Sequence, residues 1–191
     1  MSEDGLRALR EQTHVEIASA SVDDALGIAE VHVSTFRATY QGLLPEPVAH
    51  RVVDAQNVTK RTQGWRKWLA RSRVSTFIAR IDEAVIGFCT MQPIRDEPAE
   101  DELAADVVGE ISAFYVLPSY WRHGIGRLLG ERMLAEAEAR GFGEVVLWVL
   151  ESNERARRFY DALGFGPDGE RRVFIEHSET SVHELRYRRS I

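Results

Sequence analysis

Residues 107–129 constrain the fold more than any other stretch. Val107–Leu117 reads as an extended strand, Pro118 ends it, and Gly124 and Gly126 stand where a helix to about Arg140 begins. A strand passed through a glycine turn directly into a helix leaves the first helical N–H groups unpaired and points the positive dipole end at the turn. Such a turn is a cradle for an anion, with a pyrophosphate as its natural guest. Arg122 and Arg127 are placed to add charged contacts. Two familiar phosphate loops are excluded. A P-loop requires Gly-Lys-Ser/Thr, whereas Arg127 and Leu128 follow Gly126. A dinucleotide-binding turn requires G-x-G-x-x-G, whereas Gly124, Gly126 and Gly130 are spaced G-x-G-x-x-x-G. On the glycines alone, a purely structural turn is the commoner outcome.

Strands and helices alternate around this block. Val15–Ala20 reads as a strand, and Ser21-Val22-Asp23-Asp24 starts a helix that runs through His32, Phe36 and Tyr40 until Gly42, Pro45 and Pro47 break it. A second helix over about Asn57–Arg71 carries Trp65, Trp68 and Leu69 on one side. Ser75–Ile81, the turn Asp82-Glu83 and Ala84–Gln92 form a β-hairpin. In the helix after Gly124, Ile125, Leu128, Leu129 and Met133 make the apolar stripe, and Gly141 closes it. Val145–Leu150 is apolar throughout, as suits a strand covered on both faces. Ser152-Asn153 caps a helix to Leu163, closed by Gly164, and Arg172–Glu176 with Val182–Arg188 supply a last pair of strands. The pattern predicts an α/β (α+β) layered domain.

A chain of 191 residues suits a single domain over 1–191, with residues 1–13 as a flexible tail. Lys+Arg 24 against Asp+Glu 30 leaves a formal charge of -6, which disfavours non-specific nucleic-acid binding. Cys89 is the only cysteine, so neither an internal disulfide nor a cysteine-based zinc site is available, and no metal is expected. The polar start Met1–Arg10 and the lack of a long apolar run predict a cytoplasmic protein without a membrane partner. Ile94–Asp106 holds Asp96, Glu97, Glu100, Asp101, Glu102 and Asp106. It reads as a solvated loop, or as a guide for a cationic substrate.

The block Phe114-Tyr115-Val116-Leu117-Pro118 followed by Trp121-Arg122-His123-Gly124-Ile125-Gly126 resembles the GNAT superfamily of acyl-CoA-dependent N-acetyltransferases. That family has Val-x-Pro and then Gln/Arg-x-x-Gly-x-Gly/Ala, so Trp121 departs from it while the glycines match. A second block, from Leu147 through Asn153, Ala156, Phe159 and Tyr160 to Gly164-Phe165, is similar to the family pattern L-x-V-x-x-x-N-x-x-A-x-x-F-Y-x-x-x-G-F at every position. Tyr40-Gln41-Gly42-Leu43-Leu44-Pro45 resembles a segment found in a group of its members. The resemblance spans about Val15 to Arg189.

It implies a mixed central sheet of six or seven strands flanked by helices, and acetyl transfer from acetyl-CoA to a small-molecule or peptide amine by direct attack in a ternary complex. It also leaves room for a homodimer, and for a non-catalytic acyl-CoA-binding or regulatory module. Carried over by position, Phe114, Tyr115 and Val116 hold the pantetheine arm, with the Val116 N–H as oxyanion donor. Arg122, His123, Gly124, Ile125, Gly126 and Arg127 form the pyrophosphate cradle, and Asn153, Ala156 and Tyr160 line the rest of the cofactor path. Tyr160 is the candidate general acid, because a neutral phenol can protonate a nascent thiolate. Ala156, Phe159, Tyr160 and Leu163 also make an ordinary core stripe. Glu110 is the candidate base. Strand alternation puts it on one face with Ser112, Phe114 and Val116; a solvated strand-end carboxylate is the competing reading. His32 and Tyr40 could face the acceptor, although a packed histidine is the commoner fate.

Overall fold

The computed structural model describes residues 15–40, 42–44, 46, 48–49, 57–94, 108–177 and 180–191. The expected tail over 1–13, the acidic segment from 95 to 106, and Gln41, Pro45 and Pro47 lie outside them. Seven strands form one sheet: β1 (Val15–Ser19), β2 (Ser75–Ile81), β3 (Ala84–Pro93), β4 (Val108–Val116), β5 (Glu144–Leu150), β6 (Gly166–His177) and β7 (Thr180–Ser190). Their order is β1-β2-β3-β4-β5-β7-β6. Every pairing is antiparallel except β4 with β5. The helices are α1 (Ala25–Tyr40), α2 (Val58–Leu69), α3 (Ile125–Ala139) and α4 (Glu154–Ala162).

Local chemistry explains the starts and stops. Ser21 and Asp24 cap each other ahead of α1: the Ser21 N–H donates to Asp24 Oδ2 at 2.7 Å, and the Asp23 N–H donates to Ser21 Oγ at 3.3 Å. Asn57 caps α2 by accepting from the Lys60 N–H at 3.0 Å, and Asn153 caps α4 by accepting from the Ala156 N–H at 3.1 Å. Gly141 and Gly164 follow α3 and α4 at φ +76 and +82, the left-handed positions where a side chain would be strained.

α1 and α2 cover one face of the sheet around Ile28, Trp65, Ile78 and Phe88. α3 and α4 cover the other around Cys89, Leu129, Met133, Tyr160 and Leu163. The apolar stripe of α3 differs from expectation at one place. Ile125, Leu129, Met133 and Ala137, each four residues on from the last, are buried, whereas Leu128 beside them is 44% exposed.

β4 carries the feature that positions everything else. Thr90 pairs with Ala113 and Met91 with Ile111, so Ser112 is an extra residue, a β-bulge. The bulge overturns the expected common face. Ile111, Phe114 and Val116 pack on the α3/α4 side, while Ala113 and Tyr115 pack on the α1/α2 side. Glu110, next to Ile111 and before the bulge, points to the α1/α2 side, opposite to Phe114 and Val116.

Candidate active site

β4 and β5 pair only from Val108↔Glu144 to Ile111↔Leu147. Beyond that point they diverge, and the gap opens into a cleft of about 1000 Å³ that runs from Tyr40 and Glu184 to the amino end of α3. The edge of β4 facing the gap is polar by construction. The Leu117 N–H donates to the Ile86 carbonyl of β3 at 2.9 Å. Alternation therefore turns the N–H groups of Val116 and Phe114 away from β3 and into the gap. The Val116 carbonyl, on the same side, accepts from Trp121 Nε1 at 2.7 Å and from Thr35 Oγ1 at 3.3 Å.

The gap ends at the glycine turn. Arg122 is at φ +65 and Gly124 at φ +85, so the chain coils tightly before entering α3. Gly124 is the N-cap without a side-chain partner, and the first helical bond runs from the Leu128 N–H to the Gly124 carbonyl. The N–H groups of Ile125, Gly126 and Arg127 are left to face a ligand. A Cβ at Gly126 would stand 3.1 Å from the Phe159 ring, so glycine lets α3 and α4 approach closely here. The side chains of the turn are less available than the sequence suggests. Arg127 pairs with Glu131 at 2.6 Å, and His123 Nδ1 lies 2.9 Å from the Trp121 carbonyl.

On the α4 side, Tyr160 is buried against Phe114, Phe159 and Phe165, and its hydroxyl forms no hydrogen bond among the described residues. Desolvation, with the nearby Cys89 and Tyr115, pushes its pKa well above the ordinary 10.0, so it is a neutral phenol. Asn153, Ala156 and Phe159 line the same cleft. The Arg155 guanidinium lies 3.5 Å over the Trp121 ring.

On the other face, Glu110 reaches the cleft despite the bulge. Burial raises its pKa, Arg172 opposes that and Glu184 adds to it. His32 is packed rather than free. Trp65 Nε1 donates to its Nδ1 at 3.3 Å, Tyr115 stacks on its ring at 4.6 Å, and burial with the Arg61 charge lowers its pKa to about 3. It is a neutral wall residue.

Trp148, Arg172 and Glu184 also line the cleft, and none stands out in the sequence. They meet because β7 inserts between β5 and β6, which sets Glu184 opposite both Leu150 and Arg172. Glu184 is 7% exposed and accepts from Arg172 Nε at 2.7 Å, while the Arg172 guanidinium lies 4.2 Å over Trp148. Among the described residues no cluster of His, Cys, Asp or Glu is arranged to hold a metal ion, and no helix is long and apolar enough to cross a membrane.

Residues 36–165 match the profile of the Acetyltransferase (GNAT) family. The chain is 31% identical over 140 residues to the uncharacterised N-acetyltransferase YuaI of Bacillus subtilis, covering 73% of each chain. It is 32% identical over 147 residues to an uncharacterised N-acetyltransferase of Archaeoglobus fulgidus, covering 76% of this chain and 89% of the other. The fold is shared with the PaiA N-acetyltransferase of Thermoplasma acidophilum in complex with coenzyme A. The TM-score is 0.69 at 20% identity, over 93% of this chain and 99% of that one.

Proposed function

Since the chain belongs to the GNAT acetyltransferase family, we propose that it transfers an acetyl group from acetyl-CoA to a primary amine by direct attack in a ternary complex. The observation that carries this reading is the divergence of β4 and β5 after Ile111 and Leu147. It leaves strand N–H groups unpaired in a cleft that ends on the bare amino end of α3. A long ligand with amides along its arm and phosphates at its end suits both features.

Acetyl-CoA supplies the activated thioester, and the protein does the rest. Phe114, Tyr115 and Val116 align the arm along β4, with the Val116 N–H donating to the carbonyl oxygen as charge develops there. Backbone donors over Arg122, His123, Gly124, Ile125, Gly126 and Arg127 take the pyrophosphate, and Asn153, Ala156 and Tyr160 shape the path. The amine nitrogen bonds to the acetyl carbon, its extra proton passes to Glu110 directly or through water, and the C–S bond breaks. Tyr160 gives its proton to the departing sulfur, and solvent restores it. The steps as proposed use no metal, and the reading allows a homodimer.

The test is release of free CoA thiol when amines are added to protein and acetyl-CoA. Release dependent on both supports transfer. Tight CoA binding without release across a broad amine panel supports a non-catalytic binding module instead.

A further inference from the structure

β4 pairs with β5 only as far as Ile111, so near Val116 its ladder neighbour is β3. On the gap edge, two side chains from distant elements stand in for the missing strand. Trp121 Nε1, from the turn before α3, donates to the Val116 carbonyl at 2.7 Å, and Thr35 Oγ1, from α1, donates to it at 3.3 Å. Two donors occupy both lone pairs of that oxygen. Thr35 is buried, at 4% exposed. A threonine hydroxyl inside a helix ordinarily bonds back to a carbonyl one turn earlier, whereas this one crosses to another element. The opposite edge of the same peptide group is held too, by the Leu117 N–H donating to the Ile86 carbonyl at 2.9 Å. The Val116–Leu117 peptide is therefore tied to β3, α1 and the turn at once. The peptide before it turns the Val116 N–H into the gap.

We propose that Thr35 and Trp121 are positioning residues for acetyl transfer: by saturating the Val116 carbonyl they leave this point of β4 a donor and aim the Val116 N–H at the thioester oxygen. The inference rests on the acetyl-transfer reading above and adds the two side chains through which the strand acts. An uncapped Val116 carbonyl would accept an N–H from the amides of the ligand's own arm and draw that arm out of register. With the carbonyl capped, the polar group left at Val116 is its N–H, which suits a carbonyl oxygen. The tie also supplies stiffness where the strand has a ladder partner on one edge. A donor misplaced by about 1 Å can cost a hundredfold in rate, so a small loss of stiffness is enough to be read in kcat.

Two readouts test it. Thr35→Val keeps the shape and removes the hydroxyl, and Trp121→Phe keeps a ring under Arg155 and removes the indole N–H. Each should lower kcat about tenfold while changing the KM for acetyl-CoA less than about twofold. Thr35→Ser, which restores a hydroxyl, should recover most of the kcat. Separately, difference infrared spectra with isotope-labelled acetyl-CoA should show the thioester carbonyl band moving to lower wavenumber on binding, and both variants should reduce that movement. A fall in kcat that leaves the bound carbonyl band at its wild-type position overturns the inference, as does a raised KM at unchanged kcat. Thiol release with kcat and band unchanged in both variants overturns it and leaves acetyl transfer standing. A band shift that depends on Thr35 and Trp121, without thiol release for any amine, sustains the positioning and overturns acetyl transfer.

Discussion

The Tyr160 ring meets the Phe114 ring nearly edge-on, with centroids 6.3 Å apart and planes at 64°. The candidate acid on α4 is therefore held by packing against the strand proposed to carry the thioester. Position comes from the ring, and only the hydroxyl is left for chemistry. Tyr160→Phe should keep the packing, leave the KM for acetyl-CoA nearly unchanged and lower kcat by roughly a hundredfold. Burial holds the phenol protonated well above its ordinary value, so wild-type kcat should show no loss from phenol ionisation up to pH 10. Unchanged kcat in Tyr160→Phe would remove the acid role.

Glu110 couples activity to stability with opposite signs. Its pKa is raised by burial, so the folded protein holds the proton more tightly than the unfolded chain does. Stability is then full below the ordinary carboxyl value of 4.5 and falls as pH rises through the raised value. Glu110→Gln should melt higher than wild type at pH 7, with the gap closing by about pH 4. The same substitution should lower kcat/KM by roughly a hundredfold and abolish the acidic limb of its pH profile. Melting curves and rate profiles on the two proteins check both halves.

The case of Glu110 also shows where sequence stops being enough. Element types and caps were legible because they depend on neighbours in the chain: Ser21 with Asp24, Asn57 with Lys60, Gly164 after α4. The strand, turn and helix proposed to hold the cofactor were legible as elements for the same reason, since β4, the glycine turn and α3 are consecutive. Alternation along β4 failed at Ser112, because a bulge is fixed by how β4 registers on β3. Glu184, Arg172 and Trp148 were hidden because the insertion of β7 between β5 and β6 is a property of the whole sheet. A cavity between α2 and β4, lined by Trp65, Trp68 and Ser112, was hidden because α2 and the bulged strand meet only in three dimensions.

Trp121 stands where the family has Gln or Arg, and its two faces should separate by mutation. Its indole N–H holds the Val116 carbonyl, and its ring carries Arg155. Trp121→Phe keeps the ring and loses the hydrogen bond, at a cost of about 1 kcal/mol in stability. Arg155→Ala keeps the hydrogen bond and loses the cation beside the proposed phosphate cradle. It should raise the KM for acetyl-CoA about fivefold at low salt, with the gap to wild type shrinking in 0.5 M salt.

Gly87 lies opposite Val116 in the β3–β4 pairing. A Cβ there would sit 3.1 Å from the Tyr115 carbonyl oxygen, 3.1 Å from Val116 Cγ2 and 3.3 Å from Leu129 Cδ1. A backbone atom is among the obstacles, so a rotamer change cannot relieve the clash. Gly87→Ala should cost about 1–3 kcal/mol and push β4 towards the gap, raising the KM for acetyl-CoA along with the loss of melting temperature. A fall in stability with an unchanged KM would mean that the strand absorbs the shift elsewhere.

Cys89 bears on whether an acyl-enzyme is formed. It is fully buried in the α3/α4 core, and burial pushes its thiol pKa far above the ordinary value. A thiol nucleophile needs a thiolate and an approach, and Cys89 has neither. Transfer should therefore follow ternary-complex kinetics, with intersecting rather than parallel initial-rate lines. An aromatic disulfide reagent should leave the native protein unlabelled and titrate the single thiol only in denaturant. Cys89→Ser should retain activity in proportion to the fraction folded, whereas parallel lines or rapid native labelling would restore a covalent route through this residue.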